Sequence, residues 1–305
     1  MLRSATWRRM GVLLAVAIVV FCASLMTGSS GISPARVLSV LAGFGVGALL
    51  ALSGVLLQAL FRNPLADPFV LGVSGGAAVG ALCAMLAGCA ALLVQGSAIA
   101  GALAAVALVY FLARGGGTAR LLLTGVVVAS SCGALVSVLL ALATSVQVRG
   151  MVFWLAGDLS WALSPRASLA AALLAAALAV VVARPLNVLA SGELRARAVG
   201  LELETWRPLL FIVCATLTAI AVVSAGTVGF VGLITPHAVR LIFRTSDHRL
   251  IAPASALAGG TVLAAADLIA RTIASPRQLP VGAIMAIVGA PIFLFLLRSR
   301  NRNTY

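Results

Sequence analysis

Gln58-Ala-Leu-Phe-Arg-Asn-Pro-Leu-Ala-Asp-Pro68 is a polar, proline-punctuated hinge, and Phe69-Val-Leu-Gly-Val-Ser-Gly-Gly76 follows it directly. Strongly apolar stretches flank it on both sides. Pro64 and Pro68 block helix continuation, while Asn63 and Asp67 supply the local hydrogen bonds of a turn. Beyond the hinge, Gly72, Gly76, Gly80 and Ala84 recur at i, i+4 spacing, one stripe of small residues along a helix. Such a stripe lets backbones approach closely, which is how helices pack in lipid, where the hydrophobic drive between them is missing. The stretch predicts an all-α, polytopic membrane protein.

Composition extends this reading to the whole chain. Apolar residues make up 62% and charged ones 9%, against about 45–50% and 25% in soluble domains. A membrane-spanning helix needs about 20 mainly apolar residues, so the chain has room for about ten. Their predicted positions are 10–26, 37–60, 69–88, 96–113, 120–145, 166–184, 207–226, 229–244, 251–274 and 281–297. No linker or soluble domain interrupts them, so residues 1–305 read as one transmembrane domain whose longest polar interval is 185–206. The Arg-rich opening followed by residues 10–26 has the form of a signal peptide, but no small-x-small cleavage site follows, and a retained first helix is expected.

Every basic residue is Arg; there is no Lys. A P-loop needs its Lys and a Schiff-base enzyme its amine, so both chemistries are excluded, and Gly115-Gly-Gly-Thr118 reads as a turn rather than a nucleotide site. With the amino terminus inside, ten spans place fifteen Arg on the cytoplasmic side. Arg36, Arg149, Arg166 and Arg277 fall outside, and Arg240 and Arg271 lie within spans. That is the positive-inside pattern. The formal charge of +14 is therefore topological, with both termini cytoplasmic and no nucleic-acid partner implied. The five Cys form no Cys-x-x-Cys pair and have no His nearby, so they read as packing residues and no metal site is assigned.

Four constellations could carry function. The hinge Asn63–Pro68 is a turn, and an irregular polar segment at a membrane face can also line or close an aqueous path. Leu189–Gly200 predicts a short helix bracketed by Gly192 and Gly200, with Glu193 and Arg197 paired at i, i+4 and Leu194, Ala198 and Leu201 on one modest apolar face. A helix that short gains stability by docking, on its own protein or on a partner. In Gly229-Phe-Val-Gly-Leu-Ile-Thr-Pro-His237, the Thr235-Pro236 step marks a kink or restart, and a lone His237 reads as packed or capped. Asp267 and Arg271 share a helical face, where intramembrane charges pair or face a cavity. Arg271, near the outer end, could also reach the surface.

These motifs, taken in order, resemble a known family. Ser53-Gly54 with Gln58, the hinge, Leu71–Gly76, Arg120-Leu-Leu-Leu-Thr-Gly125, Gly192–Gly200, Gly229–His237, Asp247-His-Arg249, Ala266–Arg271, Leu279-Pro-Val-Gly282 and Gly289-Ala-Pro291 are similar to the permease subunits of bacterial type II ABC importers for cobalamin, haem and iron–siderophore complexes. The resemblance implies a multi-pass protein of the inner membrane, not itself an enzyme and binding no cofactor. A second permease copy, most simply an identical one, would complete the path. Two cytoplasmic ATPase subunits would hold ATP and Mg, and a periplasmic substrate-binding protein would deliver the ligand. It further implies an inner gate at Asn63, Leu65, Thr118 and Ala119, with Ala119 where the family places a hydroxyl residue. An ATPase-coupling helix would use Gly192, Glu193, Leu194, Ala196, Arg197 and Gly200. Binding-protein docking would use Arg36 and Arg271, with Ser39 where a second Arg is expected and an unusually short loop before the second helix.

Two other classes would need residues of their own. An ion-gradient-driven secondary transporter needs ionisable residues near the midplane, and only Asp267 qualifies. A membrane enzyme needs a nucleophile–base pair or a metal set, and the sequence shows neither.

Overall fold

A computed structural model describes residues 2–27, 33–159, 162, 164–275 and 277–301. Among them the chain forms thirteen α-helices and one 3-10 turn, with no strand. In order they are α1 (Leu2–Met26), α2 (Pro34–Phe61), the turn Pro68–Leu71, α3 (Val73–Leu86), α4 (Ala91–Ala113), α5 (Thr118–Leu142), α6 (Ser145–Ala156) and α7 (Pro165–Val181). Then come α8 (Ala183–Ala190), α9 (Glu193–Ala198), α10 (Leu203–Ala225), α11 (Val231–Phe243), α12 (His248–Thr272) and α13 (Val281–Asn301).

Each of the ten apolar segments expected from the sequence is helical. Six of them (α1, α2, α4, α5, α10 and α12) are long and apolar enough to cross a bilayer singly, and α7 with α8 passes the same test only as a pair bent by 67°. Two expectations need correction. The predicted spans 69–88 and 229–244 contain α3, with 14 residues, and α11, with 13. At 1.5 Å per residue each is about 20 Å long, short of a hydrocarbon core of about 30 Å. The cause is local: Gly72 (φ 75°) separates the 3-10 turn from α3, and Gly226 (φ 68°) and Phe230 (φ 69°) break the chain before α11. Both helices begin at buried residues, Val73 and Val231.

The sequence also gave no sign of α6, which lies in the interval 145–165 read as loop. Thr144 and Gln147 form a reciprocal capping box at its start, and Met151 and Trp154 are buried along it. The Gln147 amide also donates to the carbonyls of Met85 (3.4 Å) and Leu86 (3.1 Å) at the end of α3.

At the centre stands α2, buried along nearly its whole length from Val40 to Phe61. Glycines set its neighbours' distances. Added Cβ atoms on Gly47 and Gly54 would collide with the carbonyls of Gly259 in α12 and Gly232 in α11. Of the predicted stripe, Gly76 and Gly80 lie against the backbone of Gly101 and Ser97 in α4, whereas Gly72 precedes α3 in a left-handed turn and faces Val128 of α5. One polar pair within this core is satisfied across helices: Ser53 Oγ donates to the Cys214 carbonyl (2.9 Å) and shares a hydrogen bond with Thr218 Oγ1 (2.8 Å).

Candidate gate and coupling sites

The hinge is built from its own short polar side chains. Helix α2 ends where Arg62 turns left-handed (φ 50°). Asn63 Oδ1 then accepts the Leu65 N–H at 3.0 Å, and Asp67 Oδ1 accepts the Phe69 N–H at 2.9 Å, capping the 3-10 turn. Burial pushes the Asp67 carboxyl above its ordinary value, and the Phe69 N–H opposes the rise. Leu65 is 40% exposed, whereas Ala66 and Pro68 beside it are buried.

The start of α5 is brought close to this hinge by backbone packing. Gly125 lies against the Val70 carbonyl, and Gly72 lies against Val128. Ala119 is exposed in the first turn of α5. The side chain of Thr118 lies outside the described residues. Among the described residues, no hydrogen bond joins Asn63 or Leu65 to Ala119.

Behind the hinge lies an arrangement that the sequence did not disclose. Pro236 has no N–H, so the Gly232 carbonyl one turn earlier in α11 loses its helical donor. Gln58, near the hinge end of α2, supplies the replacement. Its Nε2 donates to the carbonyls of Gly232 (3.2 Å) and Leu233 (3.3 Å). Its Oε1 accepts a hydrogen bond from Arg240 Nη1. The available signal was a Gln inside an apolar run, matched by a Pro and an intramembrane Arg in another. His237 is buried, as expected of a packed residue.

The coupling segment has the predicted shape. Gly192 (φ 121°) and Gly200 (φ 79°) bracket α9. Glu193 pairs with Arg197 at 3.2 Å as anticipated, and also with Arg207 of α10 at 2.8 Å, which was missed. Arg207 first, and Arg197 second, hold the Glu193 carboxyl below its ordinary value. Ala196 is fully buried. Leu194, by contrast, is 86% exposed and Val199 67%, while Ala198 is exposed and Leu201 half-buried, so the expected apolar face is open.

Just before it, α8 is tied to the α11–α12 turn by one side chain. Asn187 Nδ2 donates to Asp247 Oδ1 (2.8 Å), and its Oδ1 receives both the His248 N–H (2.9 Å) and His248 Nδ1 (2.6 Å). The Asn187 amide is the first reason that the Asp247 carboxyl lies below its ordinary value.

At the opposite end, Arg36 occupies the first turn of α2, its N–H received by Ser33 Oγ at 3.3 Å. Packing of Gly43 on Ala264 and of Gly47 on Gly259 runs α2 and α12 antiparallel. That register carries Arg36 and Arg271 to the same end of the pair. Arg271 is engaged within its own helix: Nη2 lies 2.7 Å from Asp267 Oδ2, and Nε donates to the Asp267 carbonyl at 3.3 Å.

Residues 16–299 match the FecCD transport family. The chain belongs to that family. It is 45% identical over 273 residues to the cobalamin import system permease protein BtuC of Halobacterium salinarum, covering 87% of this chain and 73% of that protein. It is 41% identical over 268 residues to the vitamin B12 import system permease protein BtuC of Escherichia coli, covering 84% and 80%. A solved structure titled as an inward-facing conformation of a metal-chelate type ABC transporter aligns with a TM-score of 0.86 at 30% identity, covering 95% and 98% of the two chains. PsaBC from Streptococcus pneumoniae, in complex with a Fab, aligns at TM-score 0.61 and 19% identity, which speaks to the fold alone. As a member of the FecCD family the chain is a multi-pass membrane permease subunit and not itself the catalyst. The ion-driven reading is thereby displaced.

Proposed function

We propose that this chain is the translocation subunit of an ATP-driven importer of metal chelates, with cobalamin-class corrinoids as the first cargo to test. Two copies would enclose the path in the inner membrane, both termini facing the cytoplasm. Two cytoplasmic ATPase subunits would carry ATP and Mg, and a periplasmic binding protein would load the outer face near Arg36 and Arg271. The cargo assignment rests on the two BtuC relatives; haem and ferric siderophores are the competing cargoes.

The observation that carries the reading is α9. A six-residue helix is too short to persist alone, yet this one is fixed at its base through Glu193–Arg207 and buried Ala196 while presenting Leu194 and Val199 outward. That is the form of a rigid foot awaiting a partner. Movement of the foot would tilt α10 and α8 and, through them, the hinge at Asn63 and Leu65 opposite residues 118 and 119. Arg36 would meet an acidic residue of the binding protein, an exposed-rim pairing that mainly tunes association rate and salt sensitivity.

The test is reconstitution of the chain with its ATPase and binding protein in liposomes. Labelled cobalamin, haem and ferric siderophore are offered with ATP and no ion gradient, then with a gradient and no ATP. ATP-dependent uptake of one chelate is expected. Uptake driven by the gradient alone would replace this reading with the secondary-transporter one.

A further inference from the structure

The side chains around His248 contain one loose end. Asp247 is an acceptor, so the Asn187 edge facing it at 2.8 Å is the amide NH2. The other edge, Oδ1, then faces the His248 ring at 2.6 Å. An oxygen cannot donate, so His248 Nδ1 carries a proton; burial first, and the Arg240 charge second, oppose a second proton on the ring, which leaves Nε2 a bare acceptor. That Nε2 is buried with no hydrogen-bond partner, on a residue only 2% exposed. An unsatisfied buried acceptor is costly, and each one calls for an explanation.

A cationic donor flanks the same turn: Arg240 lies in the last turn of α11, and His248 opens α12 after the short turn 244–247. In this state Arg240 Nη1 is given to Gln58 Oε1, a neutral amide. One cation therefore stands between two neutral acceptors on different elements, Gln58 on α2 and His248 on α12. It occupies one and leaves the other empty.

We propose that Arg240 is a two-position clasp, holding Gln58 in the state seen here and His248 Nε2 in the alternate state of the transport cycle. The move would release the hinge end of α2 from α11 and tie α11 instead to α12. Through Asn187, α12 is already joined to α8 and so to the base of the coupling helix. The clasp thus gives the coupling segment and the hinge two discrete ways of being connected, the physical requirement for passing a conformational change between them. Its transport role rests on the permease reading; its existence does not.

The experiment uses the full importer in liposomes, with the five native Cys replaced and spin labels at Arg184→Cys on α8 and Leu241→Cys on α11, diluted with unlabelled chain. Distance distributions are recorded with and without ATP. Gln58→Leu removes one acceptor and His248→Leu the other. The two are expected to move the ratio of the distance populations in opposite senses, each by about tenfold. ATP-coupled uptake should fall about tenfold in both, with hydrolysis retained. His248→Gln, which keeps an acceptor oxygen, should recover most of the loss. Gln58→Glu, which strengthens the present grip, should shift the ratio as His248→Leu does. It also serves as the arm on the α2 side should Gln58→Leu fail to insert. Shifts in the same direction, or none in a transporting background, would overturn the clasp. Absence of ATP-driven uptake by the unmutated chain would instead count against the permease reading, and the distance ratios would still report on Arg240.

Discussion

Helix α2 meets α12 and α11 on opposite terms. Against α12 it offers close backbone contacts: Gly47 lies on Gly259, Gly43 on Ala264, and Phe44 on Gly260. Against α11 it offers a glycine contact at Gly54–Gly232 and then a polar clasp, Gln58 reaching the carbonyls left open around Pro236. Close backbone packing has one good geometry and resists sliding. A hydrogen bond between side chain and kinked backbone can be exchanged for another at small net cost. The α2–α12 pair is therefore the fixed post of the molecule, and the α2–α11 pair is the joint.

The largest expected effect comes from breaking the post. Gly47→Val places a branched side chain where even a Cβ collides with the Gly259 carbonyl and approaches Leu263 Cβ within 2.9 Å. Backbone on one side cannot rotate away. Overpacking of this kind costs about 1–3 kcal/mol and sometimes more. The expectation is loss of thermal stability in detergent and a steep fall in membrane yield, while Gly88→Val, whose added Cβ meets no atom within 4 Å but whose φ of 72° is unfavourable, should cost distinctly less. Equal losses at both positions would mean that the α2–α12 contact is not special.

A smaller effect is expected at the joint. Pro236→Ala restores the N–H that the Gly232 carbonyl lacks, so α11 closes its own helix and competes with Gln58 for that carbonyl. Hydrogen bonds between membrane helices are worth about 0.6 kcal/mol on average, because alternatives are available. Stability should hardly change; what should change is coupling, with uptake per ATP reduced. A large stability loss would show that the joint is packed as rigidly as the post.

How much of this was legible beforehand follows the same division. Contacts made by pattern could be read: the stripe at Gly76 and Gly80 announced the α3–α4 contact, Gly192 and Gly200 announced the ends of α9, and Glu193–Arg197 followed from spacing within one helix. Contacts made across elements could not. Gln58 and Arg240 are separated by 182 residues, as His248 and Asn187 are by 61, and no local rule pairs them. The half-length of α3 and α11 was hidden for a related reason. Hydropathy sums apolar character along the chain and does not register that Gly72 and Phe230 adopt positive φ inside the apolar run. The resemblance supplied the gate and coupling residues that local patterning left open, yet it gave no hint of Arg207 as the second partner of Glu193.

The smallest expected effect lies at that second partner, and it sharpens the contrast between post and foot. The Glu193 carboxyl has its folded-state value depressed by Arg207 and Arg197. The sign follows: its contribution is fully present above the unfolded-state value, so it is intact at pH 7, and it is lost as pH falls through the depressed one. The group is exposed, so global melting should barely respond. Locally the outcome differs, because α9 has little besides this anchor and buried Ala196 to hold it. Glu193→Gln is expected to raise hydrogen exchange of the α9 amides at pH 7, while exchange in α2 and α12 stays as it was. The unmodified chain should show the same selective rise only on acidification below the ordinary carboxylate range. If α9 exchanged no faster in the variant, the Arg207 pair would not be what steadies the foot, and the burial of Ala196 alone would have to suffice.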